Sequence, residues 1–242
     1  MVAIEYLTLP EEVLLLRAFD AKANFVRKEA DNHLVYLVAG LVELLLRGRI
    51  GLDPRRQLIA QREQPDDWPE RQPLISIERS IRQLFPLSLE EALEVLTHEN
   101  LLAAEMVAQG LEFKGVLHVT ERRRLGLFKE PHWQLINPQV IEMLQQRIWN
   151  AANSADWPDL RCLGVCFLGY SGAHFGPARQ AVVSQAFRRW HQKAQEIVAM
   201  ASGRGLDPEE RQVAALMTCL DAMDRWRTRQ PLDRLGTRID HD

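Results

Sequence analysis

The sequence predicts a mainly α fold that carries one β-hairpin. Three observations support this. Capping signatures repeatedly open stretches in which apolar residues recur at helical spacing. One segment, about residues 31–46, is apolar nearly all round (LVYLVAGLVELLL), as expected of a helix in the middle of a bundle. A single stretch, Lys114–Trp133 (KGVLHVTERRRLGLFKEPHW), alternates with the period of two that marks paired strands.

The first helix opens at Thr8, with Glu11 three residues on as the partner of a capping box, and carries Val13, Leu14, Leu16 and Phe19 toward one face. The apolar second helix stops at Arg47-Gly48-Arg49, where Gly48 suits a left-handed C-cap and the arginines suit the negative helix end. Ile50–Leu52 reads as a short extended segment. Residues 53–73 hold Pro54, Pro65, Pro69 and Pro73 among charges and read as a loop, with a brief strand at Gln57–Ala60. A short helix is expected over Leu74–Leu84. Ser88 and Glu91 form a second capping box, opening Leu89–Leu96. A further helix over Glu99–Phe113 leads into the hairpin. Asn137-Pro138 and Trp157-Pro158 start helices running to about Ala152 and Gly169. Two long helices follow, Pro177–Ala201 and Pro208–Arg229, the second with Asp207 as cap, proline at its first position and acid in its first turn. Residues 1–228 read as one domain, and the tail 229–242 as poorly ordered.

Composition narrows the function classes. A length of 242 residues, 46% hydrophobic and 26% charged residues describe an ordinary globular chain with room for a sizeable core. A net charge of −3 and a pI near 6.2 exclude a dedicated nucleic-acid binder, which is normally basic. No apolar run approaches the ~20 residues that span a bilayer, and no signal peptide is visible, so a cytoplasmic setting is expected and membrane contact must be peripheral. The three cysteines, Cys162, Cys166 and Cys219, sit in apolar helical surroundings and read as buried, reduced thiols.

Catalytic and metal-binding patterns are missing from the sequence. The seven histidines form no HExxH and no zinc spacing with cysteine, and no GxxxxGK[ST] or GxGxxG occurs. No metal or cofactor is expected. The nearest approach to a catalytic motif is LGVCFLGYSGAHF, Leu163–Phe175, where Gly169-Tyr170-Ser171-Gly172-Ala173 imitates a nucleophile elbow with its last glycine replaced. A serine hydrolase using Ser171 would need a parallel sheet, an acid such as Asp207 or Asp221, and His241 from the tail. The other reading is a helix ending at small residues that let neighbours approach closely.

The hairpin carries the most informative charge. Lys114, Arg122, Arg123, Arg124 and Lys129 stand against Glu121 and Glu130, a local excess of +3 in an acidic chain, beside Leu125, Leu127, Phe128 and Trp133. Such a segment suits an anionic membrane surface, with the indole of Trp133 at the interface. By composition it suits still better a hairpin whose open edges are defended by charge.

Three blocks, taken in order, resemble the Golgi phosphoprotein 3 family: LTLPEEVLLL (Leu7–Leu16), LVELLLRGRIGL (Leu41–Leu52) and KGVLHVTERRRLGLF (Lys114–Phe128). The likeness continues more weakly through Arg161–Ala173. It implies a helical core bundle ringed by amphipathic helices, with a protruding β-hairpin that dips into the bilayer. It also implies a non-enzymatic peripheral membrane adaptor: eukaryotic members bind phosphatidylinositol 4-phosphate and retain glycosyltransferases in the Golgi. The family's head-group pocket uses a tryptophan and three arginines, and those positions fall here at Lys28, Leu37, Leu101 and Ala104. A phosphomonoester wants several fixed cationic donors, so stereospecific recognition is weakened by this exchange. A less specific mode remains, in which Arg122, Arg123, Arg124 and Lys129 meet anionic headgroups, Leu127, Phe128 and Trp133 add apolar burial, and Arg27 and Lys28, ahead of the second helix, contribute if the start of that helix lies on the same face. The expected partners are an anionic phospholipid surface and tails of membrane-bound client proteins. The alternative is a soluble protein–protein interaction domain that has kept the fold and lost the lipid.

Overall fold

The computed structural model describes residues 6–20, 22–25, 33–53, 55–61, 73–99, 102–124, 128–169, 175, 177–200 and 206–229. Among them the chain is mainly α. In order it forms α1 (Leu9–Ala18), α2 (His33–Leu46), β1 (Ile50–Leu52), β2 (Gln57–Ala60), α3 (Pro73–Arg82), β3 (Leu87–Ser88), α4 (Leu89–His98) and α5 (Ala104–Phe113). Then come β4 (Leu117–Arg124), β5 (Phe128–Leu135), α6 (Gln139–Asn153), α7 (Leu160–Gly169), α8 (Pro177–Met200) and α9 (Pro208–Arg229).

Helix α2 is the axis. Every residue from Leu34 to Leu44 is buried, and α1, α3, α4, α7 and α9 all pack on it. The peripheral helices are amphipathic: α6 turns Val140, Ile141, Leu144 and Ile148 inward, and α8 does the same with Val183, Ala186, Trp190 and Ala194. These spacings of three and four residues are what one apolar helical stripe requires. One apolar cluster runs from Leu7 to Met223.

Local signals explain most boundaries. The Thr8 N–H donates to the Glu11 carboxylate at 2.6 Å, and Ser88 and Glu91 exchange the reciprocal bonds of a capping box. Gly48 takes φ +65° beyond α2, as a left-handed cap should. Helix α5 starts at Ala104, five residues later than periodicity suggests, because Leu102 adopts φ +61° and breaks the helical run after His98. Strands β1 and β2 form as expected but join a third, β3, to make an antiparallel sheet of order β1-β2-β3. At two residues, β3 is too short to leave a period.

The interior also holds charge. Glu12 is fully buried and Glu43 is 1% exposed. Arg147 grips Glu12 with both terminal nitrogens at 3.1 and 2.8 Å. Arg161 bridges the two acids, reaching Glu12 at 3.3 Å and Glu43 at 3.0 Å, and donates to the Leu7 carbonyl. Glu43 also accepts the Leu9 N–H, one of the orphan donors at the start of α1, and the Arg47 side chain. The acids of the first two sequence blocks therefore tie α1, α2, α6 and α7 together. A carboxylate in such a place must be paired, and each of these is.

The three cysteines are free and buried. Burial pushes the Cys219 thiol up to about 12, and burial together with the hydrogen bond that its thiol donates to Cys162 raises Cys166 well above the ordinary thiol value. Neither presents a reactive thiolate.

The candidate membrane-facing hairpin and its root

Strands β4 and β5 pair antiparallel through eight positions, from Leu117↔Leu135 at the root to Arg124↔Phe128 at the distal end. Arg122 stands opposite Glu130, and Arg123 opposite Lys129. Seven residues at the strand rise of ~3.3 Å put the distal pair about 23 Å along the ribbon from the root. All of the hairpin cations except Lys114 belong to that distal half. Residues 125–127, and with them Leu125 and Leu127, lie outside the described residues, as do Arg27 and Lys28.

The root is tied to α5 and α1. The Glu112 carboxylate accepts the Val119 N–H at 2.9 Å and meets His118 Nδ1 at 3.0 Å; the backbone bond, aided by His118, holds its pKa below the usual value. Lys114 turns back to Glu11 at 2.6 Å and to the Tyr6 carbonyl at 2.8 Å. It is therefore a structural cation. Thr120 donates its hydroxyl to the His132 carbonyl at 2.9 Å, closing the ribbon from the side.

Trp133 corrects the expectation of an interfacial indole. It is only 3% exposed, and its ring lies 5.0 Å from that of Phe25, which also meets His132 edge-on at 5.6 Å and Phe19 at 5.9 Å. The short turn between Phe19 and Phe25 holds this ring in place. Burial pushes the Asp20 carboxyl up, but bonds from Asn24 and the Lys22 N–H outweigh it and leave it below its usual value. The clue was present in sequence: with a period of two, Trp133 shares a face with Leu135, which is also buried.

Two of the three positions where the resemblance sets head-group arginines are apolar and interior. Leu37 is fully buried in α2, and Ala104 is 5% exposed at the start of α5; Leu101 lies outside the described residues. Between them Leu102 folds onto α2 at Gly40. A Cβ at Gly40 would stand 2.6 Å from Leu102 Cδ1 and 2.9 Å from Ile77 Cδ1, so only glycine admits this approach. The described part of the region is a packing seat.

The elbow reading is also corrected. Leu163–Gly169 lies within α7 and ends it, and among the described residues there is no parallel sheet to present a nucleophile. A Cβ at Gly169 would meet Val13 Cα at an ordinary contact distance of 3.4 Å, so α7 packs against α1 here. Ser171 and His241 lie outside the described residues. None of the helices described is long and apolar enough to cross a membrane.

Sequence reasoning missed the Glu12–Glu43–Arg147–Arg161 node. An acid inside an all-apolar helix, Glu43 in LVELLL, was the signal that a buried partner had to exist.

Among the described residues, a bundle built round one buried helix carries a two-stranded ribbon whose cations stand in its distal half, which defines a mainly α domain with a charged hairpin. The family model for Golgi phosphoprotein 3 (GPP34) matches residues 9–231, and the chain belongs to that family. A search of curated proteins found no match to the chain.

Proposed function

We propose that this protein is a non-enzymatic, cytoplasmic, peripheral membrane adaptor that associates with anionic phospholipid through the distal half of the β4–β5 hairpin. The observation that carries the reading is the register: Arg122, Arg123, Arg124 and Lys129 fall within three consecutive cross-strand pairs in a chain whose net charge is −3. Each cation near an anionic leaflet contributes about 1 kcal/mol, and the apolar residues Leu127 and Phe128 add interfacial burial. Family membership supports a lipid-binding adaptor. Tails of membrane-bound client proteins are the second class of partner in this reading.

Phosphatidylinositol 4-phosphate is one candidate lipid, and charge is the stronger basis for binding, because Leu37 and Ala104 are buried and apolar. Co-sedimentation with phosphatidylcholine vesicles, with or without phosphatidylserine or phosphatidylinositol 4-phosphate at matched charge, tests this. Binding should appear with either anionic lipid and fall as salt rises. Salt-insensitive failure with both would sink it and leave the second reading, a soluble protein–protein interaction domain. That reading is favoured by the same apolar seat at Leu37 and Ala104.

A further inference from the structure

A cleft of about 890 Å³ lies between β1 and the first half of α9, a volume within the range of ligand sites. Its floor is core: Ile50 and Leu216 are almost wholly buried, and Gly51 is buried with them. In front of that floor stand half-buried apolar residues that a ligand can touch. They are Leu45 and Leu46 at the end of α2, Leu52 of β1, Val198 of α8, and Ala214 and Ala215 of α9.

The rim adds cations without countercharge. Arg56 and Arg211 both line the cleft, are exposed, and have no carboxylate partner among the described residues. Two arginines close to β1 are already spent, since Arg49 and Arg82 pair with buried Glu78 at 2.9 and 2.7 Å. Asp53, the acid of the lining, accepts the N–H groups of Arg55 and Gln57, both at 2.8 Å.

Arg56 also holds an unusual backbone state. Its φ of +61° is one that glycine or asparagine adopts far more readily. The bonds to Asp53, joined by the Arg56 N–H on the Asp53 carbonyl at 2.9 Å, fix this turn between β1 and β2. A turn that keeps arginine where glycine fits better points to a use for the guanidinium.

These features select a ligand. A bare anion would leave the apolar wall uncovered, and a neutral apolar ligand would leave both guanidinium groups unused. Burial of Ile50 and Gly51 closes the strand to an added peptide backbone. We propose that the cleft binds a single-chain amphipathic anion of the fatty-acid class. Its acyl chain lies along Leu46, Leu52 and Ala215, and its carboxylate meets Arg56 and Arg211. The site is independent of lipid binding by the hairpin.

The test is titration calorimetry of the full chain with dodecanoate below its micelle-forming concentration. Dodecanoate should bind saturably at one site, whereas dodecyltrimethylammonium, of equal chain and opposite charge, and acetate, which lacks the chain, should not. Octanoate should bind about tenfold or more weakly than dodecanoate, because it buries fewer methylenes. Arg56→Glu with Arg211→Glu should weaken dodecanoate about tenfold or more. Arg56→Gly should weaken it too without lowering the urea midpoint, since glycine takes this φ freely. Ala215→Phe fills the path of the chain, leaves the rim in place and should abolish binding. Absence of dodecanoate binding, or equal binding of dodecyltrimethylammonium, overturns the proposal. So does an affinity unchanged by the double charge reversal or by Ala215→Phe.

Discussion

Two regions built from the family's sequence blocks handle charge in opposite ways. At the crossing of α1, α2, α6 and α7, two carboxylates lie almost beyond reach of solvent, matched by guanidinium groups and a backbone N–H. On the β4–β5 ribbon, Arg122, Arg123, Arg124 and Lys129 gather at the distal end with only Glu121 and Glu130 among them. The first region spends its charge inside the fold and leaves nothing for a partner. The second keeps an excess of +2, four cations against two acids, in a chain whose net charge is −3. A charged motif alone does not show which kind it belongs to; the apolar density around it does. Glu43 is embedded in leucine and valine, whereas the arginines follow one another along a strand.

The comparison can be broken most decisively at Arg161. Arg161→Leu leaves Glu12 and Glu43 short of countercharge and should cost about 3–5 kcal/mol, read by urea denaturation. A loss below about 1 kcal/mol would mean that solvent reaches the node. At the ribbon, Arg122→Glu with Arg123→Glu and Arg124→Glu should leave the unfolding midpoint nearly unchanged. Binding to phosphatidylserine vesicles should weaken about a hundredfold or more, since each cation contributes ~1 kcal/mol. Unaltered vesicle binding would remove the hairpin from the proposed function. Gly40→Ala should destabilise the seat beneath Leu102 by about 1–3 kcal/mol without touching vesicle binding. A linked loss of both would mean that the seat shapes the lipid-facing region.

The smallest effect concerns pH at the joint between ribbon and bundle. The folded pKa of Glu112 lies below the ordinary 4.5. Its contribution is therefore fully present above about pH 4.5 and is lost as pH falls through the folded value. Glu112→Gln should flatten the acid limb of the stability profile and speed amide exchange at Val119. An unchanged acid limb would show that the ribbon is anchored elsewhere.

Much of the fold was legible because its signals are local. Thr8 with Glu11, Ser88 with Glu91, and Asp207-Pro208 each announce a helix within four residues, and the apolar run around Leu37 marks a central helix from its own composition. The break at Leu102 was hidden, since a left-handed leucine is imposed by packing against Gly40 rather than by its own preference. The burial of Trp133 depended on Phe25, more than a hundred residues earlier. Of the candidate site, the cations were visible as composition, and pairing added where along the ribbon they stand.

The bridge from Arg161 also bears on how the chain is made. Glu12 and the arginine that completes its neutralisation are 149 residues apart. At a synthesis rate of about 5–20 residues per second, Glu12 is added to the chain roughly 7–30 s before Arg161. Until Arg147 and Arg161 follow, Glu12 lacks both of its guanidinium partners and Glu43 has only Arg47, so closing the first two helices on each other buries charge that is not yet matched. The amino-terminal half of the newborn chain must wait, open and sticky, and a chaperone that shelters it should raise the yield of folded protein.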